Sequence, residues 1–573
     1  MQEERPVHKT GMQRALTQYG DLAFAVFLRK AFIKAMGYTD DALDRPIIGI
    51  VNTASDYNAC HQTVPDLIAA ASRGVMLAGG IPMAFPVISL HETFASPTSL
   101  YLRNLMAMDT EEMIRAQPMD AVILIGGCDK TVPALVMGAI SAAVPAILLV
   151  TGPMLAGDWR GERVGACTDC RRFWARFRAG DLTAAQIAEV NGELAPTVGT
   201  CGVMGTASTM ALAAEAMGLM LPGGASIPAV YAERRRQAER TGTRAVAMAA
   251  EGLTPDRIVT AGAIRNGIRT VMAVGGSTNA IIHLTAMAGR AGLAVDLAEV
   301  DALGRETPVL VDLKPTGQHY MEDLHRAGGL APVLRELGDL IDGSCLTVTG
   351  QTLAENLAAQ PAEHGQTVVR TASDPVFAGG ALAVLYGNLA PRGAIIKQAA
   401  ADPGLLTHSG PAVVFENLAD LAARIDDEAL AVTRDSVLVL RNAGPKGAPG
   451  MPEAGYLPIP KKLARQGVKD MVRISDARMS GTAFGTIVLH ITPEAADGGP
   501  LALVRNGDMI RLDVPGRRID LMVDKAELAA RRAALAPPEP PPLRGYARLH
   551  HDHVLQADGG CDLDFLTARG EAP

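Results

Sequence analysis

The sequence predicts an α/β fold, an N-terminal domain on a parallel sheet followed by a C-terminal β-rich, barrel-like domain, and three observations predict it. From about residue 46 short apolar runs alternate with helical stretches. After about residue 380 the texture changes to brief β-like runs punctuated by glycine. The 573 residues combine 48% apolar residues and 59 glycines with only 4% aromatics, the composition of a loop-rich α/β enzyme.

The elements follow in order. PIIGIVN precedes the helical TVPDLIAAASRGVMLAGG; MAFPVISL precedes SLYLRNLMAMDTEEMIRAQ; DAVILIGG precedes VPALVMGAISAAV; and AILLVTG follows. Such alternation implies a parallel sheet covered on both faces. Ligands then bind beyond the carboxyl ends of its strands, so the segments Asn52 to Cys60, His91 with Glu92, and Cys128 to Lys130 should open onto one rim. Residues 205–300 read as mostly helical and 300–375 as mixed. The later runs (ALAVLYGNLA, GAIIKQ, AVVFEN, SVLVLRN, MVRIS, GTIVLHI, MIRLDV, RIDLMV) give the second domain, a barrel or layered sheet. The division falls between 1–380 and 381–573, with PPEPPPL near residue 540 as a stiff spacer before the tail.

Charge and composition exclude several classes. A net charge of −8 without a lysine/arginine block argues against nucleic acid as partner, and RRFWARFR (171–178) reads as one short helix. The apolar segments AVPAILLVTGPMLAG and TMALAAEAMGLMLPGG are broken by Gly and Pro before membrane-spanning length, which excludes a membrane protein. The opening MQEERPVHKTGMQR has no apolar core, so a cytoplasmic location is expected. Seven dispersed cysteines argue against a disulfide framework.

Chemistry concentrates in four places. Cys60, Cys128 and Cys201 lie in turns at element boundaries, where thiolates suit metal or iron–sulfur binding; spacing alone favours ordinary buried cysteines over a cluster. Cys167 and Cys170 form the one CxxC, a rival zinc or redox site with no second pair to complete it, and read as structural. Glu92, Asp129 and Glu453 are carboxylates in turns that suit Mg²⁺, and the adjacency of Asp129 to Cys128 points to a soft and a hard metal side by side. Ser480 and Thr482 sit on a Gly-flanked turn that is not a G-x-S-x-G elbow, which disfavours a serine hydrolase. Ser277 and Thr278, in GGSTNAIIHL, suit an anion such as a substrate carboxylate, and a plain helix cap explains them as well.

NTASDYNACH, LHETF, AMDTEEMIRAQPMDAVILIGGCDKT, GTCGVMGTASTMALAAEAMGL, GGSTNAIIHL, GPKGAPGMPE, SDARMSGTAFG and RGYARLHHDHVLQADGGCDLDFL run from about residue 45 to 567. Together they resemble the dehydratases that include dihydroxy-acid, phosphogluconate and sugar-acid (aldonate) dehydratases, most closely the pentonate branch. The resemblance implies that Cys60, Cys128 and Cys201 bind a [2Fe–2S] cluster, with [4Fe–4S] as the alternative. It implies that Glu92, Asp129, Glu453 and a carbamylated Lys130 bind Mg²⁺. Ser480 as its alkoxide would be the base, with Thr482 beside it. A homodimer or homotetramer dehydrating a small 2,3-dihydroxy sugar acid to a 2-keto-3-deoxy acid is the expectation. The alternatives are a branched-chain dihydroxy acid as substrate or a non-catalytic iron–sulfur redox sensor.

Overall fold

The computed structural model describes residues 10–14, 16, 19–361, 365–537 and 540–568. The N-terminal segment read above for its lack of an apolar core lies largely outside the described residues, as do Pro538 and Glu539 of the proline-rich spacer.

Strands β1 (Ile47–Asn52), β2 (Ile81–Pro86), β3 (Ala121–Gly126) and β4 (Ala146–Val150) form an all-parallel sheet in the order β2-β1-β3-β4. Two helix pairs cover it, Val64–Leu77 with Ala232–Glu251 and Ser99–Ala116 with Thr131–Ala142. Coverage on both faces explains why every residue of β3 and β4 is buried and why these strands read as unbroken apolar runs. After a short hairpin, β5 (Gly157–Trp159) and β6 (Glu162–Val164), the chain is helical from Thr206–Ala216 to Leu297–Glu306.

The second domain is one mixed sheet. Its strands are β7 (Ala383–Leu385), β8 (Gly393–Ile396), β9 (Thr407–Phe415), β10 (Val437–Leu440), β11 (Arg473–Ser475), β12 (Ile487–Thr492), β13 (Met509–Asp513) and β14 (Arg518–Leu521). They lie in the order β14-β13-β9-β10-β11-β12-β8-β7, with β9 to β12 parallel. The two edges meet. Tyr386, just past β7, donates its N–H to the Arg517 carbonyl at 3.0 Å and accepts from Ile519 N–H at 3.0 Å, which leaves the sheet nearly closed as a barrel. Val439, Ile474, Val488, Ile510 and Leu512 fill one of its apolar cores.

Parallel topology sets where the site falls. β1 to β4 all end on one rim of the first sheet, and β10 and β11 likewise end together in the barrel. The tail after the barrel folds back on the first domain: Arg103 donates to the carbonyls of Gly560 and Cys561 at 2.9 Å, and Arg290 pairs with Asp562 at 2.6 Å, both fully buried. Among the described residues no helix is long and apolar enough to cross a membrane.

Candidate active site

The ends of β1 and β3 carry Cys60 and Cys128, and the loops after β2 and β4 help position the sulfurs. Asn58, after β1, accepts the Cys60 N–H at 3.1 Å and donates to the Leu90 carbonyl at 2.9 Å, tying that loop to the one after β2. His61 ties it to the loop after β3: Nδ1 lies 2.9 Å from the Thr53 carbonyl, and Nε2 accepts from the N–H groups of Gly127 at 3.1 Å and Cys128 at 3.2 Å. Burial pushes this imidazole down to about 4, and its partners assign the neutral tautomer protonated on Nδ1. A side chain at Gly127 would place its Cβ 1.7 Å from Thr151 Oγ1, so only glycine lets β3 and β4 end this close together. Past β4, Pro153 bridges Thr200, and the Gly199 N–H reaches the Ala59 carbonyl at 3.2 Å, which brings Cys201 in.

The three predicted cysteines converge. The sulfurs of Cys60 and Cys128 lie within 4.8 Å of each other, and the charges of Cys128 and Cys201 both push the Cys60 thiol up. A His91 ring nitrogen and the sulfurs of Cys60 and Cys128 lie within 4.8 Å of one another. A fourth thiol joins them: Cys167 Sγ is 3.4 Å from Cys201 Sγ, whereas the CxxC had read as structural. Contact with Cys128 together with burial pushes the Cys60 thiol well up, and contact with Cys167 together with burial does the same to Cys201. Cys345 and Cys561 are buried elsewhere.

The hard donors adjoin the sulfurs through the Cys128–Asp129 peptide bond, and Asp129 Oδ1 is 3.5 Å from Cys128 Sγ. Oxygens of Glu92, Asp129 and Glu453 lie within 4.8 Å of one another, Glu453 arriving from the loop after β10. Two fully buried cations hold them. Arg478 donates to Glu92 at 2.8 Å and to Glu453 at 2.6 Å, while Lys130 Nζ lies 2.5 Å from Asp129 and 3.5 Å from Glu92. Burial pushes Glu92 up, but Arg478 and Lys130 outweigh it and hold this carboxyl at about 2. Glu453 goes the other way, to about 7, through burial and repulsion from Glu92.

Ser480 lies on the turn after β11. Its Oγ is 2.8 Å from Thr482 Oγ1, which accepts from Arg171 at 2.7 Å, and the Thr168 hydroxyl donates to the Thr482 carbonyl at 2.9 Å. Lys397, fully buried, donates to the Gly481 carbonyl at 3.1 Å, and burial pushes its amine down to about 7. Ser277 packs against Gly481, where an added Cβ would sit 2.5 Å from that of Ser277. Its hydroxyl bonds Thr206 at 2.8 Å and accepts the Asn279 N–H at 3.2 Å, so it caps the helix Asn279–Arg290; Thr278 stands at the cap position with its hydroxyl buried and without a partner among the described residues.

His61, Arg171, Cys167, Lys397 and Arg478 are site residues that sequence reasoning missed. Arg478 and Cys167 had a signal, one standing two residues before Ser480 and the other in the single CxxC. Arg171 sits in the helix Thr168–Ala179 but turns toward Thr482 rather than water.

An α/β domain and a barrel-like domain thus both contribute to a site that sets thiols beside carboxylates. The chain belongs to the dihydroxy-acid/6-phosphogluconate dehydratase family, matching the description "Dihydroxy-acid/6-phosphogluconate dehydratase N-terminal" over residues 45–356 and its C-terminal counterpart over 367–561. It is 47% identical to an L-arabinonate dehydratase of Rhizobium leguminosarum bv. trifolii, covering 98% of this chain and 97% of the relative. It is 48% identical to an L-arabonate dehydratase of Azospirillum brasilense, covering 96% of each. A 6-deoxy-6-sulfo-D-gluconate dehydratase of Pseudomonas putida is 46% identical over 93% of this chain and 92% of its own.

Proposed function

We propose that the protein dehydrates a 2,3-dihydroxy sugar acid to a 2-keto-3-deoxy acid, with a five-carbon aldonate as first candidate. The observation that carries this reading is the direct adjacency of the buried Cys60 and Cys128 sulfurs to a three-carboxylate set, with Ser480 bonded to Thr482 on a nearby turn. Two barriers must fall: the C2 proton is weakly acidic, and hydroxide is a poor leaving group.

The donor sets fit two different metals. Crowding and burial disfavour thiolate charge on Cys60 and Cys201 unless a soft cation compensates, and Cys60, Cys128 and Cys201 would hold an iron–sulfur cluster, [2Fe–2S] in this reading. Glu92, Asp129, Glu453 and a carbamylated Lys130 would hold Mg²⁺. Carbamylation turns the Lys130 ammonium into an anion, removing two units of positive charge that a divalent cation restores. When bound, the cluster and Mg²⁺ would supply Lewis acidity, the first toward the C3 hydroxyl and the second toward the carboxylate and C2 hydroxyl.

The chain's own groups do the rest. Arg478 keeps Glu92 ionised and aligned beside Glu453. Because Arg171 only donates, it leaves the Thr482 hydroxyl free to direct its own hydrogen at Ser480 Oγ, which favours the alkoxide. Ser480 takes the C2 proton and returns it to the departing hydroxide, so one water leaves and the enol becomes the ketone. The redox-sensor alternative gives no role to the Ser480, Thr482 and Arg171 chain.

The test is Ser480→Ala in the reconstituted enzyme, assayed for 2-keto acid release over a panel of aldonates. Turnover should fall by roughly 10²–10⁴ while cluster absorbance stays unchanged. Substantial remaining activity rejects the serine base.

A further inference from the structure

We propose that Cys167 is a fourth cluster thiolate, competing with the substrate hydroxyl for the coordination position that Cys60, Cys128 and Cys201 leave open. The inference rests on the cluster reading above and adds a ligand to it.

The geometry is local. Cys167 Sγ lies 3.4 Å from Cys201 Sγ, Cys60 and Cys128 offer sulfurs within 4.8 Å of each other, and the charge of Cys201 pushes the Cys60 thiol up. Four sulfurs from four separate loops therefore meet in one place. Cys167 stands at the N-cap position of the helix Thr168–Ala179, its thiol making no cap bond, and the start of that helix is fastened to the turn bearing the base. Thr168 donates to the Thr482 carbonyl at 2.9 Å, and Arg171 bridges the Cys167 carbonyl at 3.2 Å and the Thr482 hydroxyl at 2.7 Å. Cys167 thus stands on the side of the cysteine group that faces Ser480. In a substrate whose C2 proton reaches Ser480, the C3 carbon is one bond away, which keeps its hydroxyl within reach of this side.

The other neighbouring donor is distinguishable. A His91 ring nitrogen lies within 4.8 Å of the Cys60 and Cys128 sulfurs, so it approaches from their side of the group. Thiolate binding would give the resting cluster a complete sulfur shell, closed to water and other oxygen ligands. On substrate binding the C3 hydroxyl would displace the Cys167 thiolate from that position, the iron–sulfur bond breaking as the iron–oxygen bond forms, with the hydroxyl keeping its proton. Cys170, one helical turn on, is not required as a ligand.

The test uses the reconstituted, dithionite-reduced holoenzyme in H₂¹⁷O without substrate, read by electron–nuclear double resonance. Wild type and Cys170→Ala should lack ¹⁷O coupling, and Cys167→Ala should gain a strong one. Equal ¹⁷O coupling in wild type and Cys167→Ala overturns the proposal while leaving the cluster reading intact. A strong ¹⁴N coupling in wild type also overturns it, in favour of His91. Wild type that takes up no iron and sulfide overturns both. If Cys167→Ala does not fold, wild type alone decides: absent ¹⁷O and ¹⁴N couplings support Cys167, and either coupling rejects it.

Discussion

The soft and hard halves of the site meet at one peptide bond, yet their charges are compensated differently. In the hard half Arg478 and Lys130, both buried, already pair with Glu92, Asp129 and Glu453. In the soft half no cation bonds to the sulfurs of Cys60, Cys128 or Cys201 among the described residues, and the thiols crowd one another. The carboxylates are held by the protein's own charges; the sulfurs await an external one. Before carbamylation and metal binding the hard half should therefore depend on its internal ion pairs for stability, whereas the soft half has no such internal compensation.

The largest effect separates the halves by activity. Cys128→Ala should reduce turnover to background and abolish iron and sulfide uptake, while far-UV circular dichroism stays as in wild type. Loss of folded structure in this variant would show that the halves are not independent. Next in size, Arg478→Met leaves Glu92 and Glu453 buried without their shared partner. A loss of about 3–5 kcal/mol in urea unfolding is expected, because an uncompensated buried charge is costly. A loss under about 1 kcal/mol would say that Lys130 suffices.

A reference outside both halves sharpens the contrast. His550, in the tail helix Gly545–His553, packs on Tyr101 at 4.8 Å between ring centroids. Burial, then the Arg103 charge, pushes its imidazole down from 6.5 to about 4. The folded state keeps it neutral where the unfolded chain protonates it. The full contribution to stability is present above pH 6.5 and is lost as pH falls toward about 4, by up to about 3 kcal/mol. Unfolding midpoints at several pH values should show this slope, and His550→Phe should flatten it.

The sequence made one kind of information legible and hid another. Strand ends were legible because β1 to β4 alternate visibly with their helices, so Cys60, Glu92 and Cys128 could be placed on one rim before any coordinates. Cys201 and Glu453 were legible as turn residues with suitable donor atoms. His61 and Lys397 were not, and Arg478 only through its place beside Ser480, because a buried cation or imidazole is explained by partners far away in the chain: Glu92 lies 386 residues from Arg478. The place of Cys167 was silent for the same reason, since beside its CxxC partner it also touches Cys201, which comes from another loop. Barrel closure through Tyr386 and Arg517 was equally silent, carried by backbone groups that every residue has.

The central claim is that one pocket holds a soft and a hard metal together, and Mn²⁺ in place of Mg²⁺ tests it most directly. The Mn²⁺ resonance should broaden when the iron–sulfur cluster is reduced to its paramagnetic state and sharpen when the cluster is reoxidised. A Mn²⁺ signal indifferent to the redox state of the cluster would place the two metals apart and contradict the account.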